Sequence, residues 1–468
     1  TGEMPYVPSN IIKVPSVRKR IEEIVHVKSD RLGKNIYQLK IIREIETNIE
    51  TYIKKMLGGN YGISEETSNK IREIIEREKK RGEEIEIPKR QLEGYISRRK
   101  EVYEKAVKNG LLVITGGAGT GKTEAVVNLV EIFFREATAP IYVLAPTGKS
   151  ALVIEKRLRE RNLHERCSVL TIHRFLYSHY YEKFGARAKE IVDLVDKALD
   201  DFRNFKDLLQ RDSTTGIPKI NAYAIIIDEA SMVDEALLAA LLMVVNIDSL
   251  KHLILVGDHN QLPPIGLGKP FVDIISFLKR EGFDDNIVEL DIPIRFSPKT
   301  GIWAFSQVFS SPSESTLSIE RYQDKTFKLY YFSSKEELGH RIKEILLEIM
   351  SGPSTEGGDE DILSLMNKLM FGVSEEPQIE YIQIIAPTRY GDMGTEFINR
   401  KIVLRDKNIY DFPLVKIINE RNRYENFVVL GRTLVLPNGA LGYWTDEEGG
   451  HVKFLSLIHI SEPTRPRL

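Results

Sequence analysis

The segment GGAGTGKT at 116–123 constrains this chain more than anything else in it. It sits between the apolar run LLVIT (111–115) and the helical pattern EAVVNLVEIFF. Glycines let successive backbone N–H groups turn inward around anionic oxygens, and a helix starting directly afterwards adds the positive end of its dipole. The segment satisfies G-x-x-x-x-G-K-[ST] in the strand–loop–helix context that this motif requires. The expected ligand is therefore a nucleoside triphosphate, with ATP and Mg2+ as cofactors. Gly116, Gly117, Ala118, Gly119, Thr120 and Gly121 would cradle the phosphates, Lys122 would reach the β- and γ-phosphates, and the Thr123 hydroxyl would ligate the metal. A dinucleotide turn suits the sequence less well, because GKT at the helix start fits a triphosphate and its magnesium.

From this loop onward short apolar runs alternate with helical patterns: IYVLA (141–145), YAIII (223–227), HLILVG (252–257) and IVEL (287–290). Continuous apolar strands alternating with helices predict a parallel sheet covered on both faces, an α/β fold. A charged helical insertion is expected over 181–215. Ahead of the sheet, residues 10–110 are rich in Ile, Glu, Lys and Arg at helical spacing, as in SNKIREIIEREKKRGEE, and predict a small helical domain. After Phe296 a second, incomplete α/β pattern runs through FKLYYF (327–332), KEELGHRIKEILLEIM and YIQIIAP (381–387). Alternating apolar residues with turn signals such as PNGALG over 411–454 predict a small β unit.

At 468 residues with 42% apolar and 29% charged side chains, the chain is long enough for two or three domains with real cores. No apolar run approaches bilayer-spanning length, so no membrane partner is expected. The single cysteine, Cys167, forbids an internal disulfide and fits a reducing, cytoplasmic setting; its plainest role is a small apolar residue. A net charge of −2 gives no global footprint for nucleic acid, so such a partner must be argued locally.

Three further places carry chemistry. YAIII ends in Asp228-Glu229; the first carboxylate at a strand tip beside the loop would hold Mg2+ with Thr123, and the second would orient and deprotonate the attacking water. Adjacent carboxylates after a strand also occur as helix N-caps. HLILVG runs into DHNQLPP, where Gln261 is placed to contact the γ-phosphate, although a proline-stiffened turn would read the same way. Arg295, after IVEL, could stabilise charge on the transferring phosphoryl group, or be an ordinary structural cation.

Taken together these segments resemble the superfamily-1 DNA helicases of the RecD-like, 5′-to-3′ branch. GGAGTGKT is similar to that family's motif I, APTGKSA (145–151) to motif Ia, LTIHRF (170–175) to its TIHR segment, IIIDEAS to motif II, GDHNQLPPIGLGKPF to motif III, and IRF (294–296) to motif IV. IIAPTRYGDMGTEFINRKI (384–402) is similar to the start of the second RecA-like domain. The likeness covers about residues 95 to 454. It implies a P-loop RecA-like domain at 96–300 after an N-terminal helical region at 1–95. The start of a second RecA-like domain would follow at 301–410, with a small β unit inserted at 411–454.

The resemblance also implies an ATP-dependent helicase or translocase whose partners are single-stranded DNA and duplex junctions, with the N-terminal helices left for a protein partner. It makes Arg295 a γ-phosphate contact. Pro146, Thr147, Gly148 and Lys149 would touch the DNA backbone, with Thr171 and His173 nearby. Taken as residues alone, Thr147 is equally a plain N-cap and His173 a packed core histidine. A P-loop ATPase that loads or remodels protein–DNA complexes without unwinding is the competing reading.

The chain departs from the family in three ways. The adenine-reading glutamine ahead of motif I has no match; arginines stand in that region, around Arg98 and Arg99, which leaves the choice of ATP over GTP open. Ala118 replaces the usual proline of the loop. Motifs V and VI are absent. The chain begins at Thr1, and LSLIHISEPTR (455–465) looks like translated sequencing adapter, so residues 455–468 are set aside as non-native. As given, the chain is expected to bind Mg–ATP, to hydrolyse it slowly and to unwind nothing.

Overall fold

An apolar run becomes a parallel strand only when neighbours complete its ladder and helices cover both of its faces. Five of the runs read from the sequence meet that condition in the computed structural model, which describes residues 25–29, 35–84, 87–196, 218–294, 300–310, 323–351, 360–372, 378, 381–391, 393–407, 414–418, 423–427, 431–436, 441–445 and 451–454. The chain divides into two units, Thr1–Pro298 and Lys299–Leu468.

In the first unit, strands β3 (Leu111–Gly116), β4 (Ile141–Ala145), β5 (Ser168–Thr171), β6 (Ala224–Ile227), β7 (His252–Gly257) and β8 (Ile287–Leu290) form a six-stranded sheet in the order β5-β4-β6-β7-β3-β8. Every pairing in it is parallel. β3 and β7 are buried at every position, which is why they read as unbroken apolar runs. β5 was not foreseen: SVLT is short, lies at the sheet's edge and starts exposed. Because all strands run the same way, the ends of β3, β6 and β7 share one rim, where ligands of open α/β sheets bind. β7 lies between β3 and β6, so the tips that carry the glycine loop and Asp228 face each other across one strand.

Ahead of the sheet come a two-stranded antiparallel hairpin, β1 (Val25–Ser29) with β2 (Asn35–Leu39), and helices α1 (Lys40–Leu57), α2 (Glu65–Glu84) and α3 (Lys89–Lys108). These helices share the sheet's core. Ile45, Ile49, Ile53 and Met56 of α1 belong to the apolar cluster on one side of the sheet, with Leu111 and Leu253. Ile71 and Ile74 of α2, with Val102, Tyr103 and Ala106 of α3, join Leu112, Ile114 and Val126 in the other. A sheet buried on both faces needs such cover, and amphipathic helices with one apolar stripe supply it. The expected insertion after β5 holds α6 (Ile172–Phe184) and α7 (Ala188–Asp196); the rest of it lies outside the described residues.

The second unit has a core of Leu346, Ile362, Leu365, Leu369, Ile382, Ile398 and Ile402, carried in part by the helices Lys335–Ser351 and Ile362–Phe371. The two runs expected to start a second parallel sheet do not form one. Residues 327–332 and 381–387 make no strand; Phe327 has only an isolated bridge to Asp324. Their composition suits strands, but no described neighbour offers them a ladder. Antiparallel pairing appears later: β9 (Leu414–Ile418), β12 (Leu441–Thr445) and β13 (His451–Phe454) form one sheet, and β10 (Arg423–Phe427) pairs with β11 (Gly431–Leu436). Among the described residues no helix is long and apolar enough to cross a membrane.

Candidate nucleotide site

The glycine loop leaves the tip of β3 and enters helix α4 (Lys122–Phe133). Gly121 caps that helix in the left-handed region, φ 81° and ψ 29°, a conformation that costs a side-chain-bearing residue energy and glycine almost none. Lys122 is 8% exposed, and its ammonium donates to the carbonyls of Gly116 at 2.6 Å and Gly117 at 3.0 Å. Thr120 Oγ1 also donates to Gly117 O, at 2.9 Å. The lysine therefore lies over the loop whose amides would receive phosphates.

Thr123 Oγ1 donates to Asp228 Oδ2 at 3.3 Å, joining the first turn of α4 to the tip of β6. Asp228 is 2% exposed. Its amide donates to Leu144 O, and its Oδ1 accepts the Glu229 amide at 3.0 Å. Burial pushes its carboxyl up to about 6, and the charge of Glu229 pushes the same way. The Glu229 amide, Lys122 and Thr123 pull it down. A buried carboxylate held that far from its ordinary range gains from a cation beside it.

Glu229 sits in the left-handed region, φ 52° and ψ 38°, and its Oε2 is buried without a hydrogen-bond partner. Non-glycine residues persist there, at a cost of about 1–3 kcal/mol, only where the surroundings hold them. The strain and the orphaned oxygen mark a group aimed at something other than the protein. Oxygen donors alone, one carboxylate and one hydroxyl, suit a hard ion such as Mg2+, which ordinarily takes one or two carboxylates and leaves its other positions to phosphates and water. Among the described residues no cluster of His, Cys, Asp and Glu could hold a metal by itself.

Gln261 lies in an exposed turn beyond β7, where its amide donates to Asp258 O at 3.2 Å. Arg295 lies outside the described residues. A neighbour that sequence reasoning passed over stands closer to the loop's base: His259 Nδ1 is 2.7 Å from Thr115 Oγ1, tying the end of β7 to the end of β3.

The residues expected at DNA occupy the same rim at β4 and β5, whose tips pair Ala145 with Thr171. Thr147 caps α5 (Gly148–Glu160), its Oγ1 accepting the Ser150 amide at 3.2 Å. Thr171 caps α6, accepting the Arg174 amide at 3.2 Å. Pro146 and His173 are half-buried, Gly148 is buried and Lys149 is exposed. Both threonine hydroxyls thus hold helix starts, and Lys149 is an exposed cation in the first turn of α5.

Behind the loop lies a buried polar network that was not foreseen either. Arg99 of α3, wholly buried, donates to the carbonyls of Thr120 (3.1 Å) and Gly121 (3.0 Å). Its Nε lies 3.1 Å from Glu78 Oε2, close enough for an ion pair though off the line of a hydrogen bond. Glu78 also accepts from Tyr95 (2.9 Å), Tyr103 (2.6 Å) and Asn128 (2.5 Å). The signal was present: Tyr95, Arg99 and Tyr103 recur every four residues, the spacing of one helix face.

A glycine loop between a central parallel strand and a helix, with a threonine–aspartate pair at its base, defines a P-loop protein with a RecA-like α/β core. Residues 99–267 match the family model described as an AAA domain. An uncharacterized protein of Methanocaldococcus jannaschii is 31% identical over 80% of this chain and 31% of its own length. The RecD subunit of the RecBCD enzyme of Buchnera aphidicola is 24% identical over 74% of this chain and 59% of its own. The ATP-dependent RecD2 DNA helicase of Deinococcus radiodurans is 31% identical over 40% of this chain and 21% of its own. Among solved structures, Pif1 helicase from Candida albicans overlaps 75% of this chain and 68% of that one, at 15% identity and a TM-score of 0.27. The chain is thus similar to RecD-like helicases of superfamily 1 and carries an AAA-domain match over its glycine-loop unit. It spans less than two thirds of the length of each curated relative named here.

Proposed function

We propose that the whole protein to which this chain belongs hydrolyses ATP and couples the hydrolysis to movement along single-stranded DNA, 5′ to 3′, separating strands at duplex junctions, and that this chain supplies its nucleotide site. The observation that carries the reading is the Thr123–Asp228 contact at the start of α4, with the unpartnered Oε2 of Glu229, the next residue along, buried there. The loop amides and Lys122 bind and orient the triphosphate. Thr123 and Asp228 hold Mg2+, which when bound neutralises charge on the β- and γ-phosphate oxygens. Glu229 orients a water and accepts its proton at Oε2. Gln261, on the turn beyond β7, and Arg295 contact the γ-phosphate, so loss of that group removes contacts that favour one arrangement of the protein over another. Pro146, Thr147, Gly148 and Lys149, with Thr171 and His173, face the DNA backbone along the same rim.

Support comes from the kinship with RecD and RecD2 proteins, one of which is named an ATP-dependent DNA helicase. The test is ATP turnover with and without single-stranded DNA, which should rise with DNA. Turnover indifferent to DNA would favour a loader or remodeller. Direction is tested with the whole protein: a 5′-tailed duplex should be opened and a 3′-tailed one left paired.

A further inference from the structure

Arg99 reaches the glycine loop from α3 and takes two of its backbone carbonyls, those of Thr120 and Gly121. A peptide unit is planar and trans, so its C=O and N–H point in opposite directions. The carbonyl of Thr120 shares a plane with the Gly121 amide, and the carbonyl of Gly121 with the Lys122 amide. The guanidinium that takes both carbonyls therefore fixes the direction of both N–H groups. It approaches so closely that a Cβ on Gly121 would collide with it, so glycine is needed there for Arg99 as well as for the backbone turn.

The guanidinium is itself fixed. Burial works against its charge, but Glu78, Tyr103 and Tyr95 more than offset it, and Arg99 keeps its proton above the ordinary arginine range. Glu78 sits on α2 and is held by Tyr95 and Tyr103 of α3 and by Asn128 of α4. A planar fork suits two carbonyls in a way that a point-charged ammonium does not.

We infer that Arg99 is a positioning residue for the phosphate loop: it aims the Gly121 and Lys122 amides at the bound phosphates, and α2 and α3 are through it a structural part of the nucleotide site. The inference rests on the nucleotide reading of the loop proposed above. It also says what the arginine does in the region where the resembling helicases carry a base-reading glutamine: it acts on the phosphate end of the ligand, whatever the base.

The test compares the wild-type chain with Arg99→Lys, which keeps a charge for Glu78 but loses the fork, and Glu78→Gln, which keeps the fork but loses its ion partner. The probes are ADP, GDP and inorganic tripolyphosphate, measured by calorimetry, together with amide hydrogen exchange of residues 117–123 without ligand. Arg99→Lys should weaken ADP, GDP and tripolyphosphate alike, by about tenfold, and should speed exchange at Gly121 and Lys122 specifically; Glu78→Gln should do the same more weakly. Three results would each overturn the inference: tripolyphosphate binding unchanged in Arg99→Lys, a changed ADP-to-GDP preference with phosphate affinity intact, or loop exchange identical to wild type. A wild-type chain that bound none of the probes would instead sink the nucleotide reading, and the exchange comparison would still decide the role of Arg99.

Discussion

Thr123 and Asp228 stand 105 positions apart in the chain and 3.3 Å apart in the fold. The sheet order produces this: β7 separates β3 from β6, and the first turn of α4 reaches across to the tip of β6. The contact also sets what each change at the site should do.

Lys122→Ala removes a buried ammonium that donates to the loop's Gly116 carbonyl. Turnover should fall on the order of 10²–10³-fold, the range seen when a preorganised charge-stabilising donor is lost. Steady-state phosphate release measures it, and a variant within a few-fold of wild type would deny Lys122 contact with the reacting phosphate.

Glu229→Gln keeps the shape of the side chain and leaves the left-handed backbone as it is, so it reads out the carboxylate alone. Nucleotide affinity should stay within a few-fold, while hydrolysis drops by about 10²–10⁴, the usual contribution of a general base. Single-turnover hydrolysis separates the two, and equal rates in variant and wild type would remove Glu229 as the base.

How much of this was legible in the sequence depended on burial. The interior strands β3, β4, β6 and β7 announced themselves because strands covered on both faces are apolar throughout, whereas the edge strand β8 showed only as a short apolar run broken by the exposed Glu289. β5, short and at the edge, carries no such run. Residues 327–332 and 381–387 have the composition of strands and make none, because composition cannot report whether a neighbour offers a ladder. Arg99 and Glu78 were missed for a different reason: in helices full of Arg, Glu and Lys each reads as a solvated charge. Spacing could have corrected this, since Glu78 continues the buried stripe of Ile71 and Ile74, and Arg99 that of Tyr95 and Tyr103. That the two stripes face each other behind the glycine loop is tertiary information.

At the other end of the rim, Thr147 and Lys149 should separate by readout. Thr147→Ala loses the cap on the Ser150 amide and should cost about 1 kcal/mol of stability. Lys149→Ala should leave the melting temperature nearly unchanged and weaken single-stranded DNA uniformly across sequences. It should also lower the slope of log affinity against log salt by about 0.7, one phosphate contact's worth. Fluorescence anisotropy at several salt concentrations measures the slope, and an unchanged slope would move the DNA path away from this loop.

His252 supplies a pH dependence remote from the site. It is wholly buried, stacked on Phe133 with centroids 4.7 Å apart, and its Nδ1 lies 3.0 Å from the carbonyl of Asn109. A carbonyl only accepts, so Nδ1 carries the proton and Nε2 is left bare and buried without a partner. Burial pushes the imidazole down to about 4, with Lys251 adding to the effect and the Asn109 carbonyl and Glu136 opposing it. In the unfolded chain it titrates near its ordinary value of about 6.5. Between those values the unfolded state binds the extra proton, so this contribution is present above pH 6.5 and is lost as pH falls toward 4, to a limit of about 3 kcal/mol. Asp228, raised to about 6, and Glu235, raised to about 7, have the opposite sign: their folded forms hold protons more tightly, so their contributions are present at low pH and fade as pH rises. The wild-type acid limb is therefore a sum, and His252→Phe, which keeps a ring against Phe133, isolates one part of it. The difference in unfolding free energy between wild type and variant, from urea titrations at pH steps from 7 to 4, should shift steadily against the wild type across that window. A difference independent of pH would mean that the imidazole is not held neutral in the folded chain.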